Sequence, residues 1–302
     1  MRIGRAAWLT DTGRRRTRNE DAYVFEPPLF AIADGMGGAR AGEVAAGIAA
    51  AALRDGRRAV IDEASLEASI EEANRRVWER SVADPSTAGM GTTVTVALVD
   101  AADAEIVFGH VGDSRAYRLR SDVLEQITTD HSLVAELVES GVLTPEEAER
   151  HPQRSAITRA VGTESAIEAD VFRVPAEPGD LVLLCSDGLT DMLSEDEIAS
   201  ALLEADRDPE AAAQRLVAAA NARGGEDNIT VVLFELVEGD PEPVTYEDPP
   251  AADEDATEAT LADPEADVSR HGAGSGGRLA SLALVAVVVV VGALALYWGI
   301  SR

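Results

Sequence analysis

Hydrophobic residues recur with two different periods along most of the chain. Short apolar runs bounded by Gly, Pro or charged residues are typical of β-strands, and they occupy residues 24–25, 29–33, 94–99, 105–108 and 115–119. Apolar residues at helical spacing occupy residues 40–54 and 65–80 instead. The predicted helices come as a pair, whereas the predicted strands come in runs. This order favours an antiparallel α+β architecture over repeated βαβ units.

The pattern changes after residue 238. Residues 239–278 are rich in Glu, Asp, Pro, Ala and Thr and then in Gly and Ser, so they can bury little apolar surface. Residues 279–298 are uncharged and rich in Ala, Val and Leu, and at ~1.5 Å per residue they span ~30 Å, the thickness of a bilayer core. The sequence therefore predicts a folded domain over residues 1–238, an acidic disordered tether over 239–278 and a single transmembrane helix over 279–300.

Charged residues beside the apolar span indicate its orientation. Arg270 and Arg278 precede it, which favours the cytoplasmic side for the folded domain, although Arg302 beyond the span weakens this bias. The N-terminus has no apolar run resembling the core of a signal peptide. We therefore expect a single-pass protein of the cell membrane with its folded domain in the cytoplasm.

The overall charge excludes one class of partner. The formal net charge of -29, with a pI near 4.4, argues against nucleic acid, whose phosphates would be repelled. One basic cluster stands out, and it consists of Arg14, Arg15, Arg16 and Arg18. Cys185, the single cysteine, lies in an apolar run and is expected to be a buried, unreactive thiol.

Acidic residues stand at predicted turns and strand ends in separate parts of the chain, namely Glu20, Asp21, Asp34, Asp187 and Asp227. Carboxylates gathered by folding need a cation, and Mg²⁺ and Mn²⁺ are the ions that prefer oxygen ligands. Glycines after Asp34 free the backbone there, so that a main-chain carbonyl can also face a metal. No paired Cys/His or Ser/His signature supplies a nucleophile, which leaves water for that role. The chain is therefore expected to be a metal-dependent enzyme.

Ordered sequence blocks carry a resemblance to a known family. The blocks are Asp11-Thr12-Gly13, Arg16, Asn19-Glu20-Asp21-Ala22, Ala33-Asp34-Gly35-Met36-Gly37-Gly38, Gly112-Asp113-Ser114-Arg115, Asp130-His131-Ser132, Ser186-Asp187-Gly188 and Asp227-Asn228. In them the chain resembles bacterial PPM-type (PP2C-like) protein serine/threonine phosphatases. The resemblance covers residues 1–238 and implies a four-layer α-β-β-α sandwich with metals between the two sheets. It also implies hydrolysis of phosphoserine and phosphothreonine in proteins, with release of phosphate, by a monomer.

The resemblance assigns metal ligands residue by residue. Asp34 bridges two Mn²⁺ or Mg²⁺ ions, the Gly35 carbonyl binds one of them, and Asp187 and Asp227 complete the other. Such a pair lowers the pKa of a bridging water, which attacks phosphorus. Residues expected beside the pair are Glu20, Asp21 and Asn228. Because successive strand side chains point to opposite faces, Glu20 and Asp21 cannot both bind one ion directly unless the strand ends there, so one of them is expected to act through water. The resemblance implies that both lie near the metal pair, largely through bound waters.

Further roles follow from the same blocks. Arg16 matches the arginine that grips the substrate phosphate in a bidentate manner. The other arginines of that cluster either shape peptide selectivity or are simply solvated. In bacterial members a third ion is bound, and Asp113 and Ser155 match its ligands, with a structural turn as the alternative role of Asp113. The segment 132–157 matches a mobile flap.

One position departs from better-known eukaryotic relatives. There a histidine follows Asp-Gly and is proposed as the general acid, whereas Met36 stands here and cannot donate a proton. Either a water on the metal supplies that proton or another histidine does; His131 is the candidate by motif, with a structural role as the alternative.

Three functions compete at this point. The preferred one is a membrane-anchored phosphatase that reverses the action of a bacterial Ser/Thr kinase. An inactive phosphoprotein-binding module is disfavoured by the intact acids and Arg16. A developmental-regulator phosphatase that acts on an anti-anti-sigma factor is disfavoured too, because that branch of the family tends to lack the N-terminal arginine that Arg16 matches.

Overall fold

Two antiparallel β-sheets stacked face to face form the centre of the structure, a computed structural model that describes residues 1–37, 41–57, 62–148 and 150–240. The strands of the first sheet are β1 (Arg2–Asp11), β7 (Arg115–Arg120), β8 (Val123–Gln126), β10 (Leu181–Cys185) and β11 (Ile229–Val237). The strands of the second are β2 (Asp21–Glu26), β3 (Leu29–Met36), β4 (Gly91–Thr92), β5 (Val94–Asp100), β6 (Glu105–Val111) and β9 (Asp170–Pro175). Their orders are β1-β11-β10-β7-β8 and β2-β3-β5-β6-β9, with β4 added beside β3.

Helices cover the outer face of each sheet. The second sheet packs against α1 (Ala41–Gly56) and α2 (Glu63–Ala83). Two further helices, α3 (Leu133–Glu139) and α4 (Pro145–Ala148), lie in the connection from β8 to β9. The first sheet packs against α5 (Asp187–Thr190), α6 (Glu195–Glu204) and α7 (Pro209–Ala222). The predicted α+β sandwich of four layers is therefore confirmed for the described residues.

Continuous apolar runs explain why the central strands are buried on both faces. In β3, Phe30 and Ile32 point into the layer between the sheets, while Leu29, Ala31 and Ala33 face the helices. Such strands read as unbroken hydrophobic segments because neither face meets water. Stacking of Phe30 on Phe234, with ring centroids 4.3 Å apart, joins the two sheets at this point.

Local signals set the helix boundaries. The second predicted helix, 65–80, is observed as Glu63–Ala83. It begins at Glu63 because Asp62 caps it: the Ser65 amide donates to the Asp62 carboxylate at 2.9 Å. The first, 40–54, is observed as Ala41–Gly56. All five predicted strands are present, each extended by one or more residues at an end.

The structure does not describe the segment that is predicted to cross the membrane. None of the helices in the described ranges is long and apolar enough to cross a bilayer. The predicted tether, apart from its first two residues, and the predicted transmembrane helix 279–300 lie outside the described residues.

Candidate active site

Strand pairing brings the first two predicted acids together. Asp21 and Asp34 are register partners in the β2–β3 hairpin. The backbone of Asp34 is fixed from the neighbouring strand segment, since its amide donates to Thr93 Oγ1 at 3.0 Å and its carbonyl accepts from Thr92 Oγ1 at 2.8 Å. Asp34 thus lies within β3 and not at its end, two residues before the strand finishes.

Hydroxyl groups of the other sheet hold the Asp21 carboxylate. Ser186, at the end of β10, donates to Asp21 Oδ2 at 2.9 Å, and Thr230 of β11 donates to the same oxygen at 2.6 Å. Asp187 directly follows Ser186 and begins α5. Residues beside the ends of β10 and β11 in one sheet therefore meet Asp21 of the other sheet.

Burial among like charges dominates the electrostatics of this cleft. Burial raises the pKa of Asp21 to about 6, although the hydrogen bonds from Thr230 and Ser186 oppose it. Burial also raises the pKa of Asp34 well above its usual range, helped by the charges of Asp21 and Asp187. The pKa of Asp187 rises for the same reason, with Asp113 as the leading neighbouring charge. We call Asp21, Asp34, Asp113 and Asp187 the carboxylate cluster.

These acids fit a divalent cation by their chemistry. Their donors are all oxygen, as Mg²⁺ and Mn²⁺ prefer, and Asp21 Oδ1 and Asp187 Oδ1 are buried without a hydrogen-bond partner. Within the described ranges, no group of three or more His, Cys, Asp or Glu side chains is arranged closely enough to hold an ion as it stands. The individual ligand assignments therefore stay predictions, for Asp34, Gly35, Asp187, Asp227, Asp113 and Ser155.

A close backbone contact joins Gly35 in β3 to Gly42 in α1, beside Glu20. A Cβ atom on Gly42, in the first turn of α1, would lie 2.5 Å from the Gly35 carbonyl oxygen and 2.9 Å from Glu20 Oε2. A Cβ on Gly35 would lie 2.1 Å from the Gly42 carbonyl oxygen. Only glycine fits at both positions, because real Cβ contacts are not this short. Partial burial raises the pKa of Glu20, with Arg16 opposing.

Asp227 contacts Arg16 in this structure. Arg16 Nη2 lies 2.6 Å from Asp227 Oδ2, and both side chains are partly exposed. The predicted phosphate ligand and the predicted metal ligand thus adjoin each other. A substrate phosphate bound by Arg16 would therefore lie next to Asp227.

The adjacent Asn228 holds the loop that carries Arg16. Its Nδ2 donates to the carbonyls of Thr12 at 3.0 Å and Arg18 at 2.8 Å, and its Oδ1 accepts from the Glu20 amide at 2.8 Å. Every side-chain bond recorded for Asn228 therefore goes to the β1–β2 loop. The resemblance predicts Asn228 beside the metals, and the structure adds these hydrogen bonds to the loop.

The residues predicted for a third ion are placed unequally. Asp113 follows β6, is buried, and has its pKa raised to about 6 by burial and by the charge of Asp130. Ser155 is exposed, with no hydrogen bond recorded to the described residues. Its neighbour Arg154 lies 3.7 Å from Asp191, whose carboxyl pKa is raised by burial. Asp113 is thus part of the cluster, whereas Ser155 lies on the surface of the predicted flap.

The two buried histidines make structural hydrogen bonds. His110 Nδ1 lies 3.0 Å from Thr95 Oγ1, while its Nε2 is buried without a partner among the described residues. His131 Nδ1 accepts from the Gly112 amide at 3.1 Å, and its Nε2 lies 3.1 Å from Asp170 Oδ2. Burial lowers the pKa of His131, and it lowers the pKa of His110 to about 3. This geometry favours the structural alternative for His131 over the general acid. Met36 pairs with Gly91 in β4 and offers no proton.

The family model for protein phosphatase 2C matches residues 13–220. The chain belongs to the protein phosphatase 2C family. The serine/threonine phosphatase stp of Listeria innocua is 41% identical over 242 residues, which make up 76% of this phosphatase and 95% of that protein. The serine/threonine protein phosphatase PstP of Mycobacterium tuberculosis is 42% identical over 246 residues, 78% of this phosphatase and 46% of that longer relative.

Solved structures agree with the assignment. The crystal structure of the M. tuberculosis phosphatase PstP/Ppp has a TM-score of 0.72 at 40% identity and covers 78% of this phosphatase and 100% of that chain. The catalytic domain of PstP in complex with two manganese ions has a TM-score of 0.71 at 38% identity, and the match covers 78% of this phosphatase and 99% of that chain. This phosphatase is therefore a metal-dependent serine/threonine protein phosphatase acting on phosphoproteins, which confirms the predicted activity and cofactor class. When bound, a divalent pair lowers the pKa of a water and screens charge on the phosphoryl group.

Several residues that build the site were not singled out from sequence. They are Gly42, Thr92, Thr93 and Thr230, and Ser186 was quoted only as part of a sequence block, without a role. For Thr230 a signal exists, because it lies two residues after Asn228 and therefore points to the same face of the chain. For the others the partners are distant in sequence, and only the folded sheets bring them together.

Proposed function

We propose that this phosphatase is anchored in the cell membrane by residues 279–300, with its catalytic domain in the cytoplasm, and that it dephosphorylates membrane Ser/Thr kinases and their substrates. The observation that carries the proposal is the uncharged 279–298 segment, separated from a phosphatase domain by an acidic tether. A tether of this composition self-repels and extends, so the domain could reach neighbouring proteins along the surface. Anchoring would keep enzyme and membrane substrates at high local concentration.

At the site we propose roles that follow the family motif. Asp34, Asp187, Asp227 and the Gly35 carbonyl would hold the two ions, with Asp34 shared between them. Arg16 holds the substrate phosphate. Support comes from the partial burial of Asp34 and Asp187 close to other carboxylates, which raises their pKa values and disfavours their charged forms unless a cation is bound, and from the contact of Arg16 with Asp227.

Cell fractionation of the intact protein and of a form lacking residues 279–302 tests the location. The intact phosphatase is expected in the membrane fraction, and the shortened form is expected to be soluble and equally active on phosphopeptides. In cells, the shortened form is expected to dephosphorylate membrane kinases less. An intact protein found in the soluble fraction, or a catalytic domain digested by protease added outside the cell, contradicts the proposal.

A further inference from the structure

Three arginines beside the predicted phosphate ligand have free side chains. Arg14, Arg15 and Arg18 are exposed, and within the described residues their side chains make no hydrogen bond and no ion pair within 4.0 Å. Among the other arginines that the structure describes, every side chain except that of Arg150 contacts a carboxylate or a carbonyl oxygen. In a chain with net charge -29, free positive charge is thus concentrated at one loop.

The backbone of this loop is held firmly even though the side chains are free. The amides of Arg14 and Arg15 both donate to the Gly225 carbonyl, at 2.7 and 3.2 Å. The Arg18 carbonyl accepts from Asn228 at 2.8 Å. The guanidinium groups therefore extend from a fixed backbone, which lowers the conformational entropy that the loop loses when they bind a ligand. We call residues 14, 15 and 18 the free arginine set.

The free arginine set also lies at a defined distance from the phosphate ligand. Arg14 and Arg18 are each two residues from Arg16, so their Cα atoms lie within ~7.6 Å of its Cα. An extended peptide advances ~3.3 Å per residue. Groups within two or three residues of a phosphorylated residue bound at Arg16 are therefore within reach of the set.

We infer that the free arginine set is an accessory subsite for a second anionic group on the substrate, two or three residues from the phosphorylated residue. The group is a phosphate or a carboxylate, since guanidinium binds both in a bidentate manner. Clustered like charges repel one another, and an anion between them relieves that repulsion. The inference rests on the phosphatase activity and extends it to substrate choice: acidic or doubly phosphorylated segments are preferred.

The test compares three phosphothreonine peptides: one with neutral flanks, one with Asp at the flanking positions, and one with a second phosphothreonine there. For the wild-type protein, kcat/KM is expected to be about fivefold to tenfold higher for the acidic or doubly phosphorylated peptide than for the neutral one, the scale of two or three exposed ion pairs. This ratio is expected to shrink as salt rises from about 0.05 to about 0.3 M.

A triple variant, Arg14→Gln, Arg15→Gln and Arg18→Gln, is expected to bring the ratio to about 1. The matched control replaces Arg75, Arg76 and Arg80 on the exposed face of α2 by Gln, which changes net charge equally. The control is expected to keep the wild-type ratio. A preference for the second phosphate alone, or for Asp as well, supports the inference and identifies the anion that is bound.

Other outcomes overturn the inference. A wild-type ratio of 1, or an equal loss of the ratio in the control variant, shows that the set does not select substrates. If the triple variant keeps the ratio but loses binding to vesicles containing phosphatidylserine, the arginines contact the membrane and the inference is wrong. A wild-type protein inactive on all three peptides in Mn²⁺ contradicts the phosphatase activity itself, which is a separate result.

Discussion

The carboxylate cluster and the free arginine set are held in opposite ways. The acids are partly or fully buried, with Asp21 and Asp34 fixed by strand pairing and by hydroxyl groups from neighbouring strands. The arginines are exposed, and only their backbone is fixed. In the carboxylate cluster, charged side chains are held in place at a cost in desolvation. In the free arginine set, the loop backbone is held in place and the side chains are free.

This difference matches two kinds of ligand. A metal ion demands fixed geometry, so its ligands are best held before it binds, even though like charges then repel. Protein substrates differ around the phosphorylated residue, so side chains that adapt can serve many of them. Stability and activity should therefore respond in opposite directions in the cluster, whereas changes in the arginines should alter substrate choice alone.

The largest effect is expected from Asp34→Asn. Phosphatase activity should fall on the order of 10³-fold even at saturating Mn²⁺, because a proposed bridging ligand loses its charge. In chelator, the free energy of unfolding should rise by about 1 kcal/mol or more, because one of several buried carboxylates is removed. Urea unfolding with EDTA and a phosphopeptide assay with Mn²⁺ measure the two effects.

Asp62→Ala is the control for that pair of effects. Asp62 is an exposed carboxylate that caps α2, and its pKa is lowered by hydrogen bonds from Ser65. Its loss should destabilise the protein by about 1 kcal/mol and leave activity intact. An Asp34→Asn protein that is fully active, or less stable than wild type in chelator, would disprove the description of the cluster.

The next effect is expected from Gly42→Ala. The new methyl group would collide with the Gly35 carbonyl and Glu20, so Mn²⁺ affinity by calorimetry and activity should both fall, the latter on the order of 10²-fold. Gly47→Ala on the same helix is the matched control, since a Cβ there meets nothing within 4 Å. It should stabilise the protein by about 0.5–1 kcal/mol without changing metal affinity. Equal behaviour of the two variants would rule out the proposed contact.

Gly42 illustrates what could be predicted from sequence and what could not. Asp34 and Asp187 were found because a carboxylate before glycine, at a predicted turn or strand end, is a local pattern, whereas Asp113 was assigned through the resemblance. The need for glycine at position 42 depends on how α1 packs on β3, which no local pattern reports. Likewise the α-β-β-α layers follow from the order of elements and the resemblance, whereas the pairing of Asp21 with Asp34 depends on hairpin register.

Asn228→Ala should have a smaller effect, acting through Arg16 as a positioning residue. On a phosphopeptide, Arg16→Ala and Asn228→Ala should each lower kcat/KM about tenfold, and the double variant should be no worse than Arg16→Ala by more than about twofold. On a small aryl phosphate, whose leaving group depends less on positioning, both losses should be smaller. Additive losses would show that Asn228 acts independently of Arg16.

Asn74→Ala is the control for a lost buried amide. Asn74 on α2 also makes two bonds to backbone, to the Glu164 carbonyl at 3.1 Å and from the Gly162 amide at 2.7 Å. Asn74→Ala should lower the free energy of unfolding about as much as Asn228→Ala does, while keeping the ratio of peptide to aryl phosphate activity. A change in that ratio would mean that instability, and not loop position, explains the result for Asn228.

The smallest effect on activity is expected from Asp113→Asn, which should lower turnover only several-fold if a third ion assists.

The effect of Asp113→Asn on stability should depend on pH. The pKa of Asp113 is raised to about 6 in the folded protein and is ~3.9 when unfolded, so the folded state holds more protons between these values. In chelator, the unfolding free energy of the wild type relative to the variant should therefore fall as pH rises from about 4 to 6, by at most about 3 kcal/mol. Added Mn²⁺ should remove this decline. Urea unfolding of both proteins across this range measures it, and parallel curves would show that burial of Asp113 carries no such cost.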